Sequence, residues 1–469
     1  MSPLEAPIPL RLARDLRAAL FALGPAPSDR VRHKSGLDPD AAAADFARHH
    51  AGIPARPRAG DEPAVLYDQP GGPTLVMGLY GSDTRLRQWL PGVRDTALPA
   101  AARALVPLPP EPVFESDHRD TEPRLSQLPI PKVSPRDAGR YISMGFIAAG
   151  SPRAGLALSA HRMLVLDDRH LGVSMLSSRH LRRMAEAAWA EGRDLPVSVN
   201  IGVPPAVAVA GATSTAHLPV EFDKLSLAGA LAGGAVTLHN NAGTVCLPQS
   251  EVILHGVLTA RQCAETRGAR PPGVTMPEFL GYDGQAGAPL QIIRIDRITQ
   301  RPGALFHSCL GPGREQSALL NLGGALTQAL KLRNDPRAKD MTDLHYSASG
   351  GGMLLLLVGL RAGAAPDKAR LARDLVATMP FTKTVVFLDS DIDLSVEADV
   401  LWAMTTRCNL SGDTHALEGF APLRMDPSQQ DDWAVPGRGA AGRCWIDATT
   451  PAAMSVPRSF AKEAAQVAS

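Results

Sequence analysis

The 469-residue chain has no surplus of charge of either sign: 48 Lys and Arg stand against 47 Asp and Glu, a formal net charge of +1. That excludes a broad positive face for wrapping nucleic acid or lying on an anionic membrane, and leaves a small, roughly neutral partner. Long apolar runs are also lacking. The longest, Met353 to Val358 with its Gly-Leu extension, is far short of the roughly 20 residues of a membrane-spanning helix and reads as a buried strand. No apolar signal core opens the chain, so the expected location is cytoplasmic. The five cysteines, Cys246, Cys263, Cys309, Cys408 and Cys444, are odd in number, widely spaced and never C-x-x-C. Neither a disulfide framework nor a zinc knuckle fits, and reduced, mostly buried thiols are expected. H-E-x-x-H and G-x-S-x-G are absent too, which removes the usual metalloprotease and serine-hydrolase readings.

What is present is an ordinary globular composition, 45% apolar and 20% charged, in a chain long enough for two or three domains of ~150 residues. Leu10–Leu23 has helical spacing and stops at Gly24-Pro25. Ala64–Tyr67 and Thr74–Tyr80 read as strands, and Ser82 caps a helix through Leu90, giving an α/β unit. Prolines then recur from Leu98 to Pro135, the mark of an extended inter-domain crossing. The middle third predicts short strands at Tyr141–Ile147, His161–Leu166, Pro196–Ile201, Ala235–Leu238, Val252–Val257 and Gln291–Ile295, with helices at Arg179–Glu191 and Asp223–Leu231. This is a closed or split β-barrel with added helices rather than a doubly wound sheet. The last third alternates: helix Gln316–Leu330, strand Met353–Leu360, helix Asp367–Thr378, strand Thr384–Leu388, helix Val396–Thr406. The tail after Pro451 reads as weakly ordered.

Gly350-Gly-Gly352 and Gly311-Pro-Gly313 read as turns, since neither follows a strand and opens a helix with phosphate-loop spacing. His49-His50 reads as a solvated helix end. Asp389, Asp391 and Asp393 alternate past the strand at Thr384, and two readings stay open: Mg²⁺ ligands, or a charged turn with Asp393 or Ser395 capping the next helix. Lys383 is either a phosphate contact or a solvated lysine.

At Lys383-Thr-Val-Val-Phe-Leu-Asp-Ser-Asp-Ile-Asp-Leu394, followed by Val400-Leu-Trp-Ala-Met-Thr-Thr-Arg407, the chain resembles the UbiD-type decarboxylases, which depend on prenylated FMN. Further blocks extend the resemblance over most of the chain: Leu128–Pro131 with Asp137–Tyr141, Ile201–Pro205, Ala228–Leu231, Glu278–Tyr282 and Ile446–Pro451. The resemblance implies an α+β architecture of α/β domains flanking a central split β-barrel, flavin-reductase-like. The parts would be an N-terminal α/β domain over 1–115, a cofactor-binding split barrel over 116–312, an α/β oligomerisation domain over 313–450 and a tail over 451–469.

Carried over residue by residue, the family's N-x-x-x-x-R cofactor segment falls on Ala157-Leu-Ser159-Ala160-His161-Arg162, keeping the arginine and losing the asparagine. The Gln-His pair at the next helix start becomes Arg179-His180, and the metal-ligand glutamate becomes Lys224. A divalent ion with one carboxylate ligand and a single ammonium both leave a net charge of about plus one beside a phosphate. The expectation is therefore that Lys224 meets the flavin phosphate directly, with Arg179 and Lys383, and that no metal is bound. The alternative makes Lys224 a surface residue after an Asp223 cap. Thr213 and Ser214 fall where the family contacts the phosphate. Of the family's Glu-Arg-Glu network, the stretch Gly273-Val-Thr-Met-Pro-Glu278 keeps one carboxylate, which pairs Glu278 as proton donor with Arg162. His161 is a further proton-relay candidate or a satisfied core imidazole, and His255 a strand-end contact.

The expected activity is a carboxy-lyase acting reversibly on an aromatic, heteroaromatic or α,β-unsaturated acid, with prenylated FMN or FMN supplied through a flavin prenyltransferase. The expected state is a homodimer or hexamer without nucleic acid or membrane span. The alternative is a diverged paralogue serving as partner subunit of a multi-subunit carboxylase or decarboxylase; a prenyl-FMN enzyme of different chemistry is the weaker third reading.

Overall fold

Short polar caps start the N-terminal elements. Asp15, Asp38 and Ser82 accept from the amides of Ala18, Ala41 and Arg85, which satisfies orphan donors of the helices Leu16–Phe21, Pro39–His49 and Asp83–Gln88. The computed structural model describes residues 13–23, 31–52, 60–113, 116–135, 137–151, 155–175, 180–241, 244–265, 274–277, 281–285, 289–423, 426, 428 and 442–454. In it the strands Arg32–Lys34, Val65–Tyr67 and Thr74–Met77 form a sheet whose fourth strand, Leu305–His307, arrives from beyond the barrel. That strand pairs parallel with Thr74–Val76, so the N-terminal sheet is completed only by residues over two hundred positions away. His50 is buried rather than solvated: its ring packs on Phe46, and its Nε2 lies 4.0 Å from Asp45.

The middle third is a six-stranded antiparallel barrel of β1 (Tyr141–Ser151), β2 (Gly155–Asp167), β3 (His170–Val173), β4 (Leu195–Ile201), β5 (Val252–Cys263) and β6 (Leu290–Gln300). Its order is β5-β4-β1-β2-β3-β6, and pairing of β5 with β6 closes the ring. Alternate Val, Ile and Leu side chains fill it: Ile142, Met163, Val197, Val199, Leu254 and Ile293 are buried in one cluster that runs on into the N-terminal sheet. Gly256 sits at a break in the β5–β6 register, where a Cβ would meet the Arg294 carbonyl oxygen at 1.9 Å, so only glycine permits the approach.

Two helices follow β4. The first, α1 (Pro205–Ala212), has no apolar period because it is apolar all round, and every residue from Pro205 to Gly211 is buried. Sequence periodicity therefore missed it. The second, α2 (Lys224–Ala232), opens with a capping box between Asp223 and Ser226 and ends at Gly233. The long helix α3 (Arg314–Leu332) then crosses from the barrel to a C-terminal sheet of order Met341–Tyr346, Leu355–Leu360, Thr384–Asp389, Cys444–Ala448, Thr414–Ala416. Its three central strands run parallel. Periodicity found two of its strands and missed the other three, which are short or irregular in pattern. Among the described residues no helix is long and apolar enough to cross a membrane.

The aspartates after Thr384–Asp389 fold the turn. Arg407 reaches Asp389 at 3.3 Å and Asp391 at 2.9 and 2.6 Å, Thr450 donates to Asp389 through amide and hydroxyl, and Asp393 accepts from Ser395. All three carboxylates are thus engaged within the turn. Arg407→Ala leaves the buried Asp389 charge uncompensated and should cost about 3 kcal/mol, whereas Asp391→Asn, at the wet end, should cost under about 1 kcal/mol, both read from urea midpoints.

Gly311-Pro-Gly313 departs from the turn reading: it leaves the strand Leu305–His307 and Gly313 caps α3. The anion position of that helix terminus is filled from within the protein. Glu62, fully buried, accepts from the amides of Arg314 and Glu315 at 2.8 and 3.0 Å and from Gly52 at 3.0 Å. Glu315, equally buried, accepts from the Gly78 and Tyr80 amides at 2.8 Å and from His307 at 2.7 Å. Burial, and then the neighbouring Glu315, push Glu62 up to about 7. A carboxyl whose folded value lies above its unfolded one stabilises fully at acid pH and loses that contribution as pH rises through about 7. Thermal stability of the wild type should therefore fall between about pH 5 and pH 8 by an amount of order 3 kcal/mol, and Glu62→Gln should flatten that slope in a calorimetric pH series.

Candidate functional site

A cavity of about 300 Å³ opens where β1 and β2 meet α1 and α3. Apolar walls come from Met144 and Phe146 of β1, Ala208 of α1 and Leu319 and Leu320 of α3; the polar groups include Asp137, Tyr141, Ser143, His161, Arg162 and Gln316. Consecutive strand residues normally face opposite sides of a sheet. Here the β1–β2 register breaks between Ile142 and Gly145, opposite Met163 and His161, and Ala160, His161 and Arg162 all border the cavity.

Arg162 Nη2 lies 3.2 Å from Oε1 of Glu265, a side chain 3% exposed that also accepts from the Tyr141 hydroxyl at 3.4 Å. Burial raises the Tyr141 hydroxyl well above its ordinary value, with the Glu265 charge adding to it, so Tyr141 stays a neutral donor. Sequence reasoning paired Arg162 with Glu278, which lies outside the described residues. Glu265 follows the end of β5 in Cys263-Ala-Glu-Thr, and no motif or periodicity singles it out. Asp137 was quoted only as part of a block; it is buried at the cavity edge, its Oδ2 accepts from the Ser134 amide at 2.8 Å, and burial raises its carboxyl.

His161 is held between the Ser159 hydroxyl on Nε2, at 2.8 Å, and the Ser174 carbonyl on Nδ1, at 3.1 Å. A carbonyl only accepts, which assigns the proton to Nδ1. Cys309 borders the same cavity, and burial pushes its thiol up and out of the nucleophilic range.

Lys224, the first residue of α2, is 4% exposed, against the solvated reading. Its Nζ donates at 2.8 Å to the carbonyl of Gly211, the last turn of α1, where a cation suits the helix dipole. Gly211 borders the cavity, and a Cβ there would meet the Phe146 ring at 2.8 Å. The ammonium thus stands directly behind the cavity wall. Thr213 and Ser214 follow α1: the Thr213 hydroxyl donates to Ala210 O at 2.7 Å and the Ser214 amide to Thr327 Oγ1 at 3.1 Å. His180 opens the helix His180–Ala190, half-buried, and Arg179 lies outside the described residues.

Two candidates lie elsewhere. Lys383 is paired with Asp426 at 2.8 Å and Ser428 at 2.7 Å beside the C-terminal sheet, away from the cavity lining. His255 sits within β5 rather than at a strand end, bonded to Thr299 at 3.0 Å, and burial, then Arg297 and His118, lower it to about 4. It is a neutral barrel-wall imidazole. Among the described residues no three His, Cys, Asp or Glu side chains converge as a metal site.

Residues 106–315 match the 3-octaprenyl-4-hydroxybenzoate carboxy-lyase Rift-related domain, and residues 321–448 the C-terminal domain of the same enzyme class. Gallate decarboxylase of Lactiplantibacillus plantarum is 28% identical over 466 residues, covering 93% of this chain and 94% of that one. The apo structure of a 3,4-dihydroxybenzoic acid decarboxylase from Enterobacter cloacae superposes with a TM-score of 0.82 at 25% identity, over 94% of this chain and 95% of that one. The UbiD-class enzyme HmfF from Pelotomaculum thermopropionicum, solved with prFMN, has the same fold, with a TM-score of 0.73 at 22% identity over 95% and 97% of the two chains. Two adjoining family domains, together spanning well over half of the chain, around a barrel-mouth cavity with a glutamate-held arginine establish that this protein belongs to the UbiD family of carboxy-lyases.

Proposed function

We propose that the protein is a reversible decarboxylase of an aromatic, heteroaromatic or α,β-unsaturated carboxylic acid, with prenylated FMN in the barrel domain. The observation that carries this reading is Arg162: a guanidinium at the edge of an apolar-walled cavity, fixed by the buried Glu265, presents a carboxylate-binding fork beside a slot for a planar ring. Enzymes of the same family act on gallate and 3,4-dihydroxybenzoate by name, and the HmfF structure holds prFMN. The barrel residues suit the cofactor in two respects, the flat apolar walls and a buried cation behind them.

When bound, prenylated FMN supplies the electron sink for the pair left by departing CO₂. This chain's residues do the rest. Arg162 binds the substrate carboxylate and orients it, Phe146, Leu319 and Leu320 exclude water, and Glu278 delivers the proton to the carbon that loses CO₂. Lys224, with Arg179 and His180, meets the flavin phosphate in place of a divalent ion. What supports this is the burial of its ammonium against the cavity wall at Gly211. Lys383, engaged with Asp426, is left out of that set.

The residues over 313–450 form the self-associating part, giving a homodimer or hexamer. Leu401, Trp402 and Leu410 are 61%, 39% and 59% exposed on and just after the helix Glu397–Thr406, an apolar surface that a second copy would cover. One set of observations favours a second reading: Ala157, Lys224 and Gly273 stand where the family has Asn, Glu and Glu. That pattern suits a diverged partner subunit of a multi-subunit carboxylase.

Absorbance and mass spectra of the protein co-produced with a flavin prenyltransferase, with metal analysis, decide between the two. Near-stoichiometric prenylated FMN without manganese, followed by CO₂ release from an acid panel, supports the enzyme; an empty protein supports the partner subunit. Lys224→Ala should lower flavin occupancy at least about tenfold, corresponding to about 1.4 kcal/mol or more, and unchanged retention would sink the lysine-for-metal reading. Glu278→Gln should keep the flavin and lower turnover by about 10²-fold or more, as expected on losing a positioned general acid. Undiminished turnover would move the proton donor to another residue.

A further inference from the structure

Among the described residues, one buried polar atom of the cavity lining has no hydrogen-bond partner. Asp137 is 6% exposed and borders the cavity; its Oδ2 takes the Ser134 amide, while its buried Oδ1 has no hydrogen-bond partner among the described residues. A buried carboxyl oxygen left unbonded costs of order 1–3 kcal/mol, so such atoms at a cavity edge mark where a ligand atom belongs.

We propose that Asp137 is a substrate-binding residue, whose Oδ1 makes a hydrogen bond to one carboxyl oxygen of the acid bound beside Arg162. This rests on the reading that the ligand is a carboxylic acid. Two carboxyl groups in one pocket bind each other well only when they share a proton, because two carboxylates repel. Asp137 can bring that proton. Burial raises it above the ordinary aspartic range, with the Ser134 amide, the Lys132 and Arg162 charges and the Val133 amide pulling the other way. Among the described residues, the other ionisable groups at the cavity are Tyr141 on β1, which stays neutral, His161 on β2 and the buried Cys309 thiol, with Glu265 engaged behind Arg162. The Arg162 guanidinium then offsets the single negative charge of the acid–carboxylate pair. No covalent step is involved: Asp137 and Arg162 hold the carboxylate, and the proton delivered to carbon comes from elsewhere.

The inference makes a pH-dependent specificity device of Asp137. Acid affinity should be highest where Asp137 keeps its proton and should weaken as pH rises and two anions face each other. The test is calorimetric titration of the flavin-loaded full chain with benzoate, 3,4-dihydroxybenzoate, gallate and 2-furoate between about pH 5.5 and 7.5, where the ligand carboxyl groups are ionised. Asp137→Ala should weaken binding at least about tenfold. Asp137→Asn, which keeps the acceptor for Ser134 and turns an N–H to the ligand, should hold affinity within about threefold of the low-pH wild type and lose the pH dependence. A merely structural role would not produce that flat profile. Equal affinity and an equal pH profile in wild type and Asp137→Ala overturn the inference and leave the decarboxylase reading standing. Loss of flavin absorbance in Asp137→Asn with acid affinity retained also overturns it, by assigning Oδ1 to the cofactor. A flavin-loaded wild type that binds none of the four acids overturns both.

Discussion

Two buried carboxylates at the head of one helix hold the parts of this molecule in their relative places. Glu62 caps the first amides of α3, and Glu315, on that same first turn, gathers the Gly78 and Tyr80 amides of the N-terminal unit and the imidazole of His307. Tyr80 in turn donates to the carbonyl of Val203, just ahead of α1. N-terminal sheet, barrel exit and the helix leading to the C-terminal sheet thus meet on a few bonds in a dry site. Desolvation makes those bonds strong and makes an imperfect match costly. The candidate site depends on this junction, because Gln316, Leu319 and Leu320 on the following turns of α3 form one wall of the cavity.

The opposite wall is set by the barrel. The β1–β2 ladder breaks between Ile142 and Gly145, and beside that break the neighbouring residues Ala160, His161 and Arg162 of β2 border the same cavity. Arg162 gains its orientation from Glu265, which arrives from the far end of β5. A guanidinium held by a buried carboxylate keeps its charge, loses less rotamer freedom on binding and has its fork aimed before the ligand arrives. Lys224 behind the α1 terminus adds a second fixed cation. The site therefore combines apolar walls with a small number of fixed charges.

Family, fold class and element types were legible in the amino-acid sequence because their causes are local or linear. Ser82 and Asp223 cap helices where they stand, alternating Val and Ile make the barrel strands, and the ordered blocks from Leu128 to Pro451 carry the family. Arg162 and His161, which border the cavity, and Lys224 were singled out through those blocks, and Lys224 is buried rather than a surface residue. Other features had no linear signal. The fourth strand of the N-terminal sheet comes from Leu305–His307, α1 is apolar on every side, and Lys383 is engaged by Asp426 from a distant loop.

By itself the sequence determined the family and the fold class, and singled out Arg162, since each follows from residue type and spacing along the chain. Only the tertiary structure decided what surrounds that arginine. Glu265 and Asp137 lie 103 positions after and 25 before Arg162 in the sequence, and a charge finds its partner through burial and barrel closure rather than spacing. The desolvation that makes Glu62 titrate near neutrality and leaves Asp137 Oδ1 buried without a partner among the described residues is likewise a property of the packed interior, absent from the chain until helices and barrel exclude water from these groups.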